Sequence, residues 1–166
     1  MAEIRLLVPG DAEEYVVLRR EMLADSPWAF LASPEQDRGC DVEKVRTSLA
    51  RPDAAIVGAR DAGKLVAVAG VSRDEALKRR HIAVIWGVYV TPSARGRGLG
   101  RSVVSRAMEA ARAWPGISSL HLAVSDNATV AKKMYESLGF VVWGVEPDAV
   151  RIGEKRFGEF HMWAGI

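Results

Sequence analysis

The chain has 166 residues, of which 49% are hydrophobic and 27% are charged, and its formal net charge at pH 7 is +2. This length and composition are typical of one soluble globular domain, which we expect to cover residues 1–166. The small net charge argues against a nucleic-acid-binding protein.

No apolar run approaches the roughly 18 residues that a membrane-spanning helix needs, so no membrane partner is expected. The N-terminal residues 1–5 lack the charged and apolar regions of a signal peptide. The single cysteine, Cys40, cannot form an internal disulfide and fits a reducing compartment. We therefore expect a cytoplasmic protein, and no group of side chains predicts a metal site.

The N-terminal half is predicted to contain two helices and three strands. Apolar side chains recur at helical spacing after Asp11 and again after Asp41, and an aspartate before such a run is a typical N-cap. The predicted order is a strand at 4–8, a helix capped by Asp11, an aromatic loop at 26–31, a helix capped by Asp41, and strands at 54–59 and 65–73 joined by a turn at 61–64.

The run from His81 to Val90 predicts the longest strand. Its two alternating sets of side chains are both largely apolar, so we expect both faces to be covered and the strand to be central in the sheet. Gly87 within this run predicts a β-bulge or a close approach of another backbone. The basic segment before it, Lys78–Arg80, is expected to be a solvated loop.

The C-terminal half is predicted to contain two more helices and three more strands. Val130, Met134 and Leu138 recur at helical spacing, and we expect this stripe to pack on the sheet. The resulting order β-α-α-β-β-β-α-β-α-β-β indicates an α+β fold with a mixed central sheet. After the strand at 81–90, the predicted elements are a helix with an apolar stripe from Leu99 to Trp114, a strand at 119–124, a helix from its cap Asn127 to Leu138, and strands at 140–146 and 159–164.

Three glycines, Gly96, Gly98 and Gly100, lie between the central strand and the helix that follows it. Glycine adopts positive φ at little cost and lets the main chain come close to a ligand. The N-terminus of the helix adds free backbone N–H groups and the positive end of its dipole, which favour an anion. The loop therefore predicts a phosphate-binding site, and a glycine-rich turn without a ligand is the simpler alternative.

The spacing of the glycines separates three kinds of phosphate-binding loop. No Lys and hydroxyl pair follows them, which excludes a P-loop. A dinucleotide-binding fold requires G-x-G-x-x-G and an acidic residue about twenty positions later, whereas this chain has G-x-G-x-G and then His121 in the corresponding region. The third pattern, R-x-x-G-x-G, is matched by Arg95, Gly98 and Gly100. It resembles the pyrophosphate-binding signature of the GNAT superfamily of N-acetyltransferases.

A second motif strengthens this resemblance. The helix predicted after Asn127 carries Ala131 and Tyr135 at intervals of four residues and leads into Leu138-Gly139-Phe140. This arrangement is similar to the part of GNAT enzymes that lies beside the acetyl-CoA thioester. The resemblance implies the GNAT fold, in which a mixed central sheet of about six or seven strands is flanked by about four helices.

The resemblance also implies acetyl-CoA as acetyl donor. Backbone amides of the glycine loop would bind the pyrophosphate, Ser102 would add a hydroxyl, and the main chain of Val88 and Val90 would pair with the pantetheine arm. A backbone N–H near Tyr89 or Val90 would stabilise the oxyanion. The implied acetyl-CoA contacts are Val88, Tyr89, Val90, Arg95, Gly96, Arg97, Gly98, Leu99, Gly100, Arg101, Ser102, Asn127, Ala131 and Tyr135.

For catalysis, the resemblance makes Tyr135 the candidate acid that protonates the leaving thiolate. Many relatives place a basic glutamate on the long central strand, but this chain has none between His81 and Val90. The base therefore stays open among four side chains and a chain of water molecules. Trp28 and Phe30 are candidates for the wall of an acceptor pocket. The four possible bases are His121, Glu21, Asp25 and Glu75.

The expected function is the transfer of an acetyl group from acetyl-CoA to a primary amine by direct attack. The acceptor amine belongs to a small molecule, a peptide or a protein, and the sequence does not choose among them. The alternative is a non-catalytic acyl-CoA-binding or sensor module with the same fold. Either a monomer or a homodimer is compatible with the sequence.

Overall fold

A computed structural model describes residues 2–166. In this range the chain forms one seven-stranded sheet and four α-helices, and none of these helices is long and apolar enough to cross a membrane. The elements are β1 (Glu3–Leu6), α1 (Ala12–Asp25), α2 (Val42–Leu49), β2 (Ala54–Asp61), β3 (Lys64–Arg73), β4 (Ile82–Val90), α3 (Leu99–Arg112), β5 (Ser119–Ser125), α4 (Thr129–Ser137), β6 (Val141–Ile152) and β7 (Lys155–Gly165).

The strands lie in the order β1-β2-β3-β4-β5-β7-β6, and every neighbouring pair is antiparallel except the central pair β4–β5. One apolar core, centred on α3, covers one face of the sheet and includes Val103, Val104 and Phe140. A second core lies on the other face, between the sheet and α1 and α2. The predicted α+β class, the mixed sheet and the numbers of strands and helices are confirmed.

The carboxylate of Asp11 precedes α1 as predicted, but it does not cap this helix. It accepts hydrogen bonds from Arg5 at 2.7 Å, from Arg60 at 2.8 Å and from the Val8 N–H at 2.7 Å. These contacts tie β1 and β2 to the start of α1 and hold the pKa of the Asp11 carboxyl below its usual range. The predicted cap at Asp41 is confirmed, since its carboxylate accepts from the Lys44 N–H at 3.1 Å.

The β-bulge predicted at Gly87 is confirmed. Gly87 has φ +59°, and the β3–β4 register shifts by one residue between Trp86 and Tyr89. Side chains alternate strictly in a strand, so one extra residue exchanges the two faces. Ile85 and then Val88 face the core of α3, whereas Trp86 and Tyr89 face α1 and α2. The prediction of one unbroken alternation from residue 81 to residue 90 is therefore wrong after the bulge.

The two central strands separate soon after they begin. The β4–β5 ladder joins only the first three residues of each strand, Ile82–Val84 and Ser119–His121. From Ile85 onward, the side of β4 that faces β5 has no strand partner. A sheet interior normally leaves no such edge, because every N–H and C=O needs a hydrogen bond. The separation therefore creates a cleft between the C-terminal parts of β4 and β5.

Two predictions about the second half of the chain are corrected. Asn127 does not cap α4, which begins two residues later at Thr129 with Ala128 at its N-cap. Val130 is 82% exposed and does not join the predicted stripe, whereas Met134 and Leu138 are half-buried and pack against the core on the α3 side of the sheet as predicted. The most buried side chain of α4 is Tyr135, whose ring meets that of Phe140 edge-on at 6.0 Å.

The last two strands are both longer than predicted. The strand predicted at 140–146 is β6 and continues to Ile152, and the strand predicted at 159–164 is β7, Lys155–Gly165. Sequence patterns end a strand near Pro147, since proline lacks the N–H of a ladder bond. The strand continues here because β6 lies at the edge of the sheet and its register shifts between Glu146 and Val150.

We expect Asp11→Asn to lower the free energy of unfolding by about 2 kcal/mol at pH 7, because two partly buried arginine side chains lose a charged acceptor that is itself buried. The loss shrinks as the pH falls below about 4, where the unfolded wild-type carboxyl already binds a proton. Urea unfolding at pH 7 and pH 3 measures both effects. The control is Glu154→Gln in the exposed turn between β6 and β7, where the side chain makes no hydrogen bond or ion pair with any described residue, and it should leave the stability at pH 7 unchanged; an equal loss in both variants would contradict the assignment.

Candidate active site

The loop before α3 presents backbone N–H groups that the protein does not use. Within residues 2–166, none of the N–H groups from Gly96 to Arg101 donates to a protein atom; the first that does is that of Ser102, to the Gly98 carbonyl at 3.1 Å. No side chain caps the helix. Orphan donors at a helix N-terminus require water, a side chain or a ligand. This loop is therefore ready to bind an anion.

Positive φ angles shape this loop. Gly96 has φ +75° and Gly98 has φ +76°, values at which a residue with a side chain is strained. An added Cβ at either glycine would meet no atom within 4 Å, so the space in front of the loop is open. At Gly100 an added Cβ would stand 3.5 Å from Val90 and 3.6 Å from Met134, which places β4 and α4 beside the start of α3.

The arginine side chains of the loop are held by other parts of the protein. The Arg97 guanidinium lies 2.5 Å from the Asp61 carboxylate, and Arg101 donates to Ser137 of α4. The Ser102 hydroxyl, predicted to contact the donor, lies 3.2 Å from the Gly98 carbonyl and donates to it. The groups that this loop offers to a ligand are therefore its main-chain amides.

Arg95 connects the loop to both neighbouring elements. Its Nε donates to the Val90 carbonyl at 3.0 Å, and its Nη2 pairs with Asp25 at the end of α1. The guanidinium also lies over the Tyr89 ring, 5.7 Å from the centroid. The same ion pair lowers the pKa of the Asp25 carboxyl, so Asp25 stays charged. The Arg95 N–H is engaged as well, at 3.4 Å from the Pro92 carbonyl.

The open edge of β4 presents the main chain of Val88 and Val90. The Thr91 N–H donates to the Val66 carbonyl at 2.9 Å, which fixes the phase of the β3–β4 ladder. Residues in an antiparallel ladder alternate between facing the partner strand and facing away from it. The polar groups of Tyr89 and Thr91 therefore point at β3, and those of Val88 and Val90 point into the cleft.

Tyr89 is placed differently from these two neighbours. Its main chain is used by β3, and its buried side chain donates to the Glu21 carboxylate at 3.1 Å. Burial and this carboxylate raise the pKa of the Tyr89 hydroxyl. Of the two positions from which an oxyanion donor was predicted, Val90 thus faces the cleft and Tyr89 faces the opposite strand.

Tyr135 is the buried side chain of α4 and lies in the core on the α3 side of the sheet. It is 5% exposed, and no residue in the range 2–166 makes a hydrogen bond with its hydroxyl. Burial raises its pKa, so the phenol stays protonated at neutral pH. Ala131 lies one turn earlier on the same helix and is half-buried, whereas Asn127 is exposed and precedes the helix.

Of the four bases considered from the sequence, two lie away from the cleft. His121 is paired with Val84 where β4 and β5 are still joined, and burial there lowers its pKa. Glu75 lies in the loop before β4 and bonds to Arg51. The other two, Glu21 and Asp25, lie on α1 beside the cleft, where each already accepts a hydrogen bond.

Sequence reasoning missed Glu159, a β7 carboxylate that is 9% exposed. It pairs with Ser125 at the end of β5, and burial raises the pKa of its carboxyl. The predicted pocket residue Trp28 stacks near it on Phe157, with ring centroids 6.4 Å apart. No sequence pattern indicates Glu159 as a site residue, because only the pairing of β7 with β5 brings it near the cleft.

A cavity of about 610 Å³ lies on the α1 and α2 side of the sheet. Trp86 forms part of its wall, lying flat over Gly70, with its Nε1 donating to Ser72 at 3.1 Å. Arg19 lines another part and bonds to Asp37 at 2.6 Å. The other predicted pocket residue, Phe30, packs against the Arg19 guanidinium at 5.7 Å.

Comparison with known proteins places this geometry in a family. The family model described as Acetyltransferase (GNAT) family matches residues 18–140. The chain is 30% identical over 138 residues to the N-alpha-acetyltransferase RimI of Mycobacterium tuberculosis, covering 82% of this chain and 77% of RimI. Two further relatives are longer proteins, of which the chain spans 36% and 19%.

Solved structures share the fold. An acetyltransferase of the GNAT family from Streptococcus pneumoniae superposes with a TM-score of 0.87 at 22% identity, covering 100% of this chain and 99% of that one. The yncA protein of Salmonella typhimurium, solved with its cofactor acetyl-CoA, superposes with a TM-score of 0.83 at 18% identity, covering 99% of this chain and 94% of that one. The chain therefore belongs to the GNAT family of acetyltransferases.

Proposed function

We propose that the protein transfers the acetyl group of acetyl-CoA to a primary amine by direct attack. The observation that carries this proposal is the row of unused N–H groups from Gly96 to Arg101. A diphosphate supplies the acceptors that these donors lack, and hydrogen bonds to a charged group are worth about 1.5–3 kcal/mol each. The dipole of α3 adds a favourable field.

The cleft between β4 and β5 suits the pantetheine arm, which carries amide groups. An extended chain with amides binds an open strand edge as an additional strand. Arg95 already donates to the Val90 carbonyl. The main chain of Val88 and the N–H of Val90 are therefore the groups left for the arm and for a developing oxyanion.

In this arrangement Tyr135 donates a hydrogen bond to the sulfur as the thiolate leaves. A buried phenol with a raised pKa stays protonated at neutral pH and keeps its proton available. A thiol is the stronger acid in water, so the phenol stabilises the developing charge by hydrogen bonding. The proton that remains on the thiol product originates from the attacking nitrogen.

The acceptor is proposed to be a primary amine of a small molecule, a peptide or a protein. The name of the RimI relative supports the α-amino group of a peptide. A non-catalytic acyl-CoA-binding module would share the loop and the cleft, and turnover separates the two functions. Thiol release measured over a panel of amines, including peptides, together with calorimetric binding of acetyl-CoA, tests both. Binding without thiol release from any amine would favour the sensor, and no binding would refute both.

We expect Gly98→Ala to weaken acetyl-CoA binding at least tenfold, or about 1.4 kcal/mol. The added Cβ strains a left-handed residue and moves the amides that face the diphosphate. Gly116→Ala is a matched control, because Gly116 has φ +77°, equally open surroundings and no place in this loop. Both variants should lose similar stability in thermal unfolding, and calorimetry should show weaker binding only for Gly98→Ala. Equal affinities would refute the loop as the diphosphate site.

We expect Tyr135→Phe to lower kcat about tenfold to a hundredfold while the KM for acetyl-CoA changes little. The lost hydroxyl has no protein partner, so the melting temperature should stay close to that of the wild type. Steady-state kinetics with saturating acetyl-CoA across pH 6–9 measures the effect. An unchanged kcat throughout that range would remove Tyr135 from the mechanism.

A further inference from the structure

We propose that Glu159 is the base that removes a proton from the acceptor's ammonium group before it attacks the thioester. This inference rests on the proposed transfer to an amine and assigns the proton acceptor that the central strand lacks. Glu159 lies on β7, away from every position at which the sequence suggested a base.

The strand registers place Glu159 beside the open part of the cleft. The β4–β5 ladder ends with the pair Val84 and His121, and β5 continues along one border of the cleft to its last residue, Ser125. Ser125 at that end is directly paired with Glu159 of β7. Neighbouring strands lie about 4.8 Å apart, so Glu159 is one strand away from the cleft.

Glu159 also lies on the side from which an acceptor must approach. Its neighbours Phe160 and Met162 face the core of α3 and α4, and Lys132 of α4 lies 5.2 Å from the Phe160 ring. Alternation along β7 turns Glu159 and His161 to the opposite side, toward α1. The donor's diphosphate loop and Tyr135 occupy the α3 and α4 side, which leaves the Glu159 side for the amine.

Glu159 is buried without a partner. Four charged residues in the range 2–166 are buried, and three of them, Asp11, Arg19 and Arg73, have hydrogen-bond partners. Glu159 is 9% exposed, and its carboxylate makes no hydrogen bond or ion pair with any described residue. The carboxylate oxygens reach solvent, since they are not among the fully buried polar atoms that lack a partner. An ammonium group that approaches from solvent can therefore supply the donor that the protein does not.

The surroundings of Glu159 make its carboxylate a stronger proton acceptor than that of an exposed glutamate. Burial and the Glu146 carboxylate of β6 raise its pKa, and His161 of β7 lowers it. A carboxylate oxygen of Glu159, one of Glu146 and a ring nitrogen of His161 lie within 4.8 Å of one another, and the His161 Nε2 is 3.0 Å from the Glu146 carboxylate. From the loop after β5, Asp126 is engaged by the Gly158 N–H at 2.9 Å. The turn Pro27–Ala29, which packs on β5 and β6, contributes no charge.

The proposed step balances in protons and electrons. One N–H proton of the ammonium moves to the Glu159 carboxylate, which leaves a neutral amine with a lone pair. That lone pair forms the C–N bond to the thioester carbonyl carbon, and the C–S bond breaks with its electrons on sulfur. A second N–H proton leaves the nitrogen and ends on the thiol, and Glu159 returns its own proton to solvent.

The test variant is Glu159→Gln, and the control is Glu109→Gln on the exposed surface of α3. We expect Glu159→Gln to lower kcat/KM for the amine about a hundredfold near neutral pH, with an unchanged Kd for acetyl-CoA. The acidic limb of the pH profile should change to a steady rise with pH, as free amine replaces ammonium. In the variant Glu146→Gln, which removes the neighbouring negative charge, the acidic limb of the pH profile should lie at lower pH than in the wild type.

A second measurement needs no turnover. The raised pKa means that ionised Glu159 destabilises the fold, so Glu159→Gln should melt at a higher temperature than the wild type at pH 8. This gain should vanish below about pH 4, where the wild-type carboxyl is protonated in both states. A variant that melts lower at pH 8 would show that the carboxylate has a structural partner, which would overturn the assignment.

The two proposals fail in different ways. Wild-type protein that releases thiol, combined with an unchanged kcat/KM and acidic limb in Glu159→Gln, would overturn the role of Glu159 and leave the acetyltransferase in place. Wild-type protein that binds acetyl-CoA without releasing thiol to any amine would overturn the acetyltransferase, and with it the need for this base.

Discussion

The separation of β4 from β5 after Val84 is the constraint on which the rest of the structure depends. Where two parallel strands separate, their main-chain donors and acceptors are left without partners in the middle of the sheet. The bulge at Gly87 turns Val88 and Val90 toward the core of α3 and Trp86 and Tyr89 toward α1. The two faces of the sheet beside the cleft therefore carry different side chains.

Several hydrogen-bonding groups around this cleft have no partner within the protein. The orphan N–H groups of the loop before α3 and the Tyr135 hydroxyl lie on one side, and Glu159 lies on the other. Elsewhere, buried charges such as Asp11 and Arg73 have partners within the protein. Groups without a protein partner remain free to bond to a ligand.

The sequence predicts local features well because local physics determines them. Positive φ demands glycine at Gly96 and Gly98, and helical periodicity identifies α3 from Leu99 onward. A glycine inside a long apolar strand indicates the bulge at Gly87. Those signals are sufficient to predict the α+β fold, the shape of the glycine loop and the central position of β4.

Features that depend on distant pairing could not be predicted in the same way. Glu159 is near the cleft only because β7 inserts between β5 and β6, a topology that no local pattern encodes. The direction of the Tyr89 main chain depends on its register with β3. Val130 has an apolar side chain and helical spacing, yet it is exposed because α4 turns its Tyr135 face inward.

The two outer strands of the sheet have consequences for association between copies of the chain. An uncovered strand edge can template pairing with another molecule, and β6 carries exposed Trp143 and Val145. Pro147 removes one donor from this edge, and the register shift after Glu146 interrupts it further. At the other border β1 is only four residues long. Both borders of the sheet therefore resist fibril-like extension.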